Sequence, residues 1–253
     1  MNGATFSIPH WAEFAAVAVG SVQGAAYASG FRERRIDLFG VAFIGVATGL
    51  GGGFLRDVSL GQPLVALSNN WYIPVAIAAA LVGMLLAALF TRIDPVITAL
   101  DALTLGLFGA IGTTKAIALG LPEIPAAFVG MLAAVGGGML RDILLNMPIA
   151  VMHVGSLYAV AAAAGTLAQV GLHDAHVSVF WCAAISTAVT FAVRLIAVAF
   201  GWSLPEQRTL TLNRVSVGFG LLRRRQRAPR EYTTATGAIP TYKVVPRSEK
   251  SDG

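Results

Sequence analysis

The chain has 253 residues, of which 56% are hydrophobic and only 12% charged, half the share of about 25% usual in a soluble domain. The charge is also uneven: residues 10–200 are nearly bare of it, whereas arginines and lysines crowd the stretch from 208 to the end. A membrane protein with a solvated basic tail has this pattern. The tail supplies most of the net charge of +5 and of a pI near 9.8. No basic face interleaved with aromatics and no zinc spacing accompanies it, so nucleic acid is not an expected partner.

In chain order, the first apolar run is 10–29. It lacks a basic leader and a small-residue cleavage site, so it is expected to be a retained helix. Further apolar runs follow at 38–58, 71–90, 96–119, 125–146, 153–172 and 177–201. About 20 apolar residues cross a hydrocarbon core of roughly 30 Å, so the expected fold is an all-α membrane protein with seven transmembrane helices. Breaker-rich separators divide the runs: RERR at 32–35, GQP at 61–63, SNN at 68–70, TRIDP at 91–95, LPEIP at 121–125 and HDAH at 173–176. Arg32, Arg34, Arg35, Arg92 and the tail arginines then fall on one side. The positive-inside rule makes that side cytoplasmic, with the N-terminus outside and the C-terminus inside.

GGGFLRD at 51–57 returns as GGGMLRD at 136–142, six identities in seven residues at an offset of 85. The same offset pairs Pro63 with Pro148 and Gly24 with Gly109. The expected units are a three-helix repeat over 10–90, a second over 96–172, a seventh helix at 177–201 and a basic tail at 205–253. Three spans per unit turn the second copy upside down. Such inverted repeats are common in transport proteins, with functional sites at the repeat interface.

Each glycine costs a helix about 1 kcal/mol relative to alanine. Gly51, Gly52 and Gly53 are therefore expected to soften, kink or interrupt the second span, and Gly136, Gly137 and Gly138 the fifth. Two readings stand: exposed backbone lining a wet cavity, or close helix packing through small residues. Arg56 and Arg141 fall near opposite membrane boundaries and either snorkel or serve the site. Asp57 and Asp142 have too short a reach to snorkel. Adjacent residues point about 100° apart on a helix, so each Asp is expected to pair with something other than its neighbouring Arg. Charges within a span are functional candidates.

The fourth span, ITALDALTLGLFGAIGTTKAIALG, is the other polar one. Asp101 and Thr104 share one face, Gly112 and Lys115 another. Lys115 either snorkels outward or faces a water-filled path, where a fixed ammonium would gate or balance charge rather than coordinate a cation. Ser21, Gln23 and Ser29 are weak signals in the first span; Glu13 is expected near the outer interface and Arg194 within snorkelling distance of the cytoplasm. Cys182 alone permits no disulfide within one chain and reads as a small buried hydrophobe. His153, His173 and His176 show no metal-ligand pairing. No P-loop, Gly-x-Ser-x-Gly or triad stands out. The chain is therefore expected not to be an enzyme and to need no cofactor or resident metal.

GGGFLRDVSLGQP and GGGMLRDILLNMP, with IDLFG at 36–40 and GTTKAIALG at 112–120, resemble the trimeric intracellular cation channel family over residues 12–200. The likeness is greatest to its prokaryotic branch, whose repeated domain goes by the name glycine transporter. The resemblance implies a homotrimer with a pore in each seven-helix protomer, potassium-selective conduction of monovalent cations, and glycine-kinked second and fifth helices framing the pore. It places the pore elements at Gly51–Gly53 and Gly136–Gly138 and associates Lys115 with gating; only a transient monovalent cation would occupy the path. Animal members read Lys-Glu-Val where this chain has Lys115-Ala116-Ile117, a departure that favours a prokaryotic plasma membrane. The tail lies beyond the resemblance. Its RRRQR run either binds anionic lipid or fixes topology. A secondary transporter of glycine or another small solute is the alternative.

Overall fold

The computed structural model describes residues 9–31, 36–89, 94–152 and 157–202. Arg32, Arg34, Arg35, Arg92, His153 and the tail at 205–253 lie outside the described residues, as does the charge argument for orientation that rests on them. Among the described residues eight α-helices follow in order: α1 His10–Gly30, α2 Leu38–Ser59, the short α3 Val65–Ser68, α4 Tyr72–Leu89, α5 Asp94–Ala118, α6 Glu123–Leu144, α7 Tyr158–Asp174 and α8 Val179–Ala199, with a 3-10 turn at Ala150–Met152. No strand occurs among them.

Four helices are long and apolar enough to qualify outright as spans: α2, α5, α6 and α8. α1 carries Glu13 and Gln23, α4 is shorter, and α7 has 17 residues. The chain is a membrane protein. Large side chains face outward along it, among them Phe43, Ile77, Leu85 and Phe128. Exposed aromatics gather at helix ends: Trp11, Trp71 and Trp181 start α1, α4 and α8, and Phe200 and Trp202 end α8. Such rings suit the membrane–water boundary.

Inside, the packing is by small residues, as expected where lipid removes the hydrophobic drive between helices. α1 packs on α2 and α4, α5 on α6 and α8, α8 on α7, and α2 on α6. Ala16, Leu50, Ala76, Phe108 and Ala133 form one core cluster, and Leu105, Ala134, Ala161 and Ala162 another. Gly24 rests on Thr48, and Gly112 on Ala133. These matching contacts pair Gly24 with Gly112 at an offset of 88, not with Gly109, which faces Thr166 and Ala134. The α1–α2 connection is three residues longer than the α5–α6 connection, which is why the offset falls back to 85 in the next helix.

α2 and α6 end alike. Gly61 and Asn146 adopt left-handed φ of 61° and 54°, and the following amides reach back, Gln62 N–H to Asp57 O at 2.9 Å and Met147 N–H to Asp142 O at 2.8 Å. This closure satisfies carbonyls that a helix end leaves open. It also fixes where the Arg-Asp pairs stand, in the last turn before each reversal.

Candidate functional site

Both glycine helices run unbroken through their triplets, so of the softening, kink or interruption expected there, interruption does not occur. The missing side chains let α2 and α6 cross backbone to backbone. A Cβ on Gly51 would lie 3.2 Å from Gly137 Cα and 2.6 Å from Leu140 Cδ1; one on Gly136 would lie 3.2 Å from Gly52 Cα and 2.7 Å from Leu55 Cδ1. On Gly52 it would overlap the Ala133 carbonyl oxygen, and on Gly137 the Thr48 carbonyl oxygen. The third glycines differ: nothing lies within 4 Å of a Gly53 Cβ, whereas Tyr158 Oη stands 2.6 Å from a Gly138 Cβ.

A charge cluster sits at each end of this crossing. In the first, Arg56 donates from Nε to Asp57 Oδ1 and from Nη1 to Glu13 Oε1, both at 2.8 Å. Lys115 of α5 donates to the same Asp57 oxygen at 2.8 Å. Asp57 Oδ2 accepts Val65 N–H at 3.0 Å, tying down the start of α3, and Tyr72 donates its hydroxyl to Glu13. In the second, Arg141 donates from Nη2 to Asp142 Oδ1 at 2.8 Å and from Nη1 to Asp101 Oδ1 at 3.2 Å. Asp142 Oδ2 accepts Ala150 N–H at 2.9 Å. Tyr158 donates to Asp101 Oδ1 at 3.4 Å, Gln23 Nε2 donates to it at 3.3 Å, and Arg194 Nη2 lies 3.8 Å from Asp101 Oδ2. The Arg141 guanidinium covers the Tyr27 ring at 4.4 Å and that of Arg194 the Tyr158 ring at 4.9 Å, within reach of a cation–π attraction.

Each cluster thus sets two acids against two bases, and that balance is what makes charge tolerable at membrane depth. The expectation that each aspartate avoids its neighbouring arginine is overturned. The Cα–Cβ directions do diverge, but the arginine stem is long enough to swing its guanidinium round to the adjacent carboxylate. Arg56 and Arg141 are buried and do not snorkel; Arg194 is buried against Asp101. Lys115 ends on Asp57 with its side chain 22% exposed, a partner the sequence did not name. Glu13 joins the first cluster through Arg56. Cys182 is buried as expected.

Sequence reasoning placed Gly51, Gly52, Gly136, Gly137, Arg56, Asp57, Asp101, Lys115, Arg141 and Asp142 among the candidates, and the structure brings them into this one assembly. It left out the tyrosines. Their signal is present but displaced: Tyr72 and Tyr158 stand 86 apart and Glu13 and Asp101 88 apart, so a search at 85 alone passes over both pairs.

The family model described as Glycine transporter matches the chain twice, over residues 10–88 and 98–174. The chain belongs to that family. A UPF0126 membrane protein of Deinococcus radiodurans is 37% identical over 158 residues, 62% of this chain and 72% of the relative. The UPF0126 inner membrane protein YadS of Escherichia coli K12 is 27% identical over 199 residues, 78% of this chain and 94% of its own length. Among solved structures, a TRIC trimeric intracellular cation channel orthologue from Rhodobacter sphaeroides superposes with a TM-score of 0.70 at 26% identity, covering 76% of this chain and 98% of that one. The fold of this family member is therefore TRIC-like.

Proposed function

We propose that this protein is a passive channel for monovalent cations, potassium foremost, assembled as a homotrimer with one pore in each protomer. The observation that carries the reading is the α2–α6 glycine crossing capped at both ends by neutral, buried charge clusters, set in a fold shared with a cation channel orthologue. Gly51–Gly53 and Gly136–Gly138 frame the path. Asp57, Lys115, Asp101 and Asp142, held by Arg56 and Arg141, supply charge along it without a fixed excess of either sign. The doubled family match supports two repeats, 10–90 and 96–172, the second inverted, with α1, α4 and α7 spanning alongside the four outright spans. α8 is then the seventh span, and residues 205–253 are a basic cytoplasmic segment that either fixes topology or meets anionic lipid. The setting is the prokaryotic inner membrane, as the name of the Escherichia coli relative favours, with the N-terminus outside by the positive-inside rule.

The family description favours a second reading, secondary transport of glycine. Purified protein in planar bilayers under a potassium gradient separates the two. Unitary currents reversing at the potassium potential are expected; saturable glycine uptake without such currents would overturn the channel.

A further inference from the structure

The two glycine triplets end differently, and the difference is at the third glycine. Beside Gly53 the space is open, and a cavity of about 20 Å³ there is walled mainly by apolar side chains, Val17, Leu50, Phe108 and Ile111 among them, with Glu13, Arg56, Asp57 and Tyr72 as its polar part. That volume is about the size of one water. Beside Gly138 the equivalent space is taken by the Tyr158 hydroxyl. Its counterpart Tyr72 is committed to Glu13 instead and leaves Gly53 clear. Tyr158 is 4% exposed and held from two sides, by its long hydrogen bond to Asp101 and by the Arg194 guanidinium on its ring.

The backbone beneath this tyrosine is strained. Leu157, the residue immediately before it, has φ 41° and ψ 27° and no side-chain cap. A left-handed conformation costs an L-residue with a Cβ roughly 1–2 kcal/mol, and strain of this kind gathers where structure switches.

We propose that Tyr158 is the gate of the path: its hydroxyl closes the crossing at Gly138, and α7 pivots at Leu157 to open it. The proposal rests on the channel reading for its consequence, but its geometry is testable without current. The path is then open to water at Gly53, on the side where α1 and α8 begin, and shut at Gly138 on the other.

In a Cys182→Ser background, Gly53→Cys introduces a thiol at the position whose Cβ has no neighbour within 4 Å. A membrane-impermeant cationic thiol reagent is applied to intact spheroplasts and to inside-out vesicles. The introduced thiol is expected to react from one face only; adding Tyr158→Ala is expected to raise the rate from the second face at least tenfold. Tyr158→Phe, which keeps the ring and loses the hydroxyl, gives a smaller rise. An unchanged second-face rate in Tyr158→Ala overturns the gate. In bilayers, Tyr158→Ala is expected to increase the open fraction at least fivefold at unaltered unitary conductance; an unaltered open fraction likewise overturns it. If the parent protein passes no current while the labelling contrast holds, the channel reading fails and the Tyr158 closure stands.

Discussion

The two charge clusters share a skeleton of Arg-Asp, a second acid and a tyrosine, yet they take their fourth charge from different elements. Lys115 reaches the first from α5, while Arg194 reaches the second from α8. The helices around them differ in the same sense. Gly83 of α4 lets that helix press on α1 so closely that a Cβ would lie 2.9 Å from Val22 Cα. At the matching place on α7, Gln169 holds α5 through its amide, donating to Ala110 O at 3.0 Å and Thr114 Oγ1 at 2.6 Å. α8 packs on both α5 and α7, with Ser186 Oγ donating to Gly165 O at 2.8 Å. The two clusters, alike in their Arg-Asp core, are thus made unequal by which helix supplies the second base. α8 relieves α7 of close packing on α5 and supplies the base that the second cluster would otherwise lack.

The sharpest way to break the comparison is to remove one aspartate from each cluster. Breaking a buried ion pair costs about 3–5 kcal/mol because the partner stays behind uncompensated. Asp57→Ala strands Lys115 as well as weakening Arg56, and is expected at the top of that range. Asp142→Ala leaves Arg141 with Asp101 and the Tyr27 ring, and is expected at the bottom. For a domain of this size 1 kcal/mol moves the midpoint by about 2–4 °C, so thermal unfolding in detergent resolves the two. Equal losses would mean that Lys115 contributes nothing to its cluster. Adding Lys115→Met to Asp57→Ala is expected to recover part of the loss.

Next in size are the glycines at the crossing. Gly52→Ala and Gly137→Ala push a methyl into a carbonyl oxygen of the facing helix, and overpacking of this kind costs about 1–3 kcal/mol. Gly51→Ala and Gly136→Ala meet first the tips of Leu140 and Leu55, which can turn aside, and meet facing backbone no closer than 3.2 Å, so they are expected to cost less. The same ranking in both triplets, read by thermal unfolding, is the test of the correspondence. A flat response across the six positions would return the triplets to unspecific softening.

A smaller effect is expected at Gln169. Gln169→Leu deletes two hydrogen bonds, each worth about 0.5–1.5 kcal/mol net, and lets α7 settle towards α5. Thermal unfolding should show a loss of about 1–2 kcal/mol. No loss would show that α8, not the amide, holds α7 in place.

Much of this was legible in the sequence. The GGGxLRD pair and its offset located the crossing, because consecutive glycines open a helix to close approach on more than one facing turn and no other stretch of the chain has three in a row. Run lengths located the long helices to within a few residues. What the sequence hid was partner choice among buried charges. Arg56 reaching Asp57 depends on side-chain rotation that helical geometry alone does not fix, and Lys115 reaching Asp57 depends on how α5 lies across α2. The four-residue helix at Val65–Ser68 was also invisible, being too short to show a period. It forms where Asp57 offers a carboxylate oxygen to the Val65 amide, a cause eight residues away.

The smallest expected effect is the most discriminating, because it has the opposite sign. Gly53 sits inside a continuous helix with empty space beside it, so an added methyl meets nothing and the helix gains up to about 1 kcal/mol. Gly138→Ala gains the same propensity but drives its Cβ against the Tyr158 hydroxyl, so the net change there is expected to be a loss. Thermal unfolding should therefore move upward for Gly53→Ala and downward for Gly138→Ala. Stabilisation at both positions would show that Tyr158 swings clear at no cost, and the two ends of the crossing would then be alike. Destabilisation at both would mean that the space beside Gly53 is occupied by tightly held water, whose displacement outweighs the gain in helix propensity.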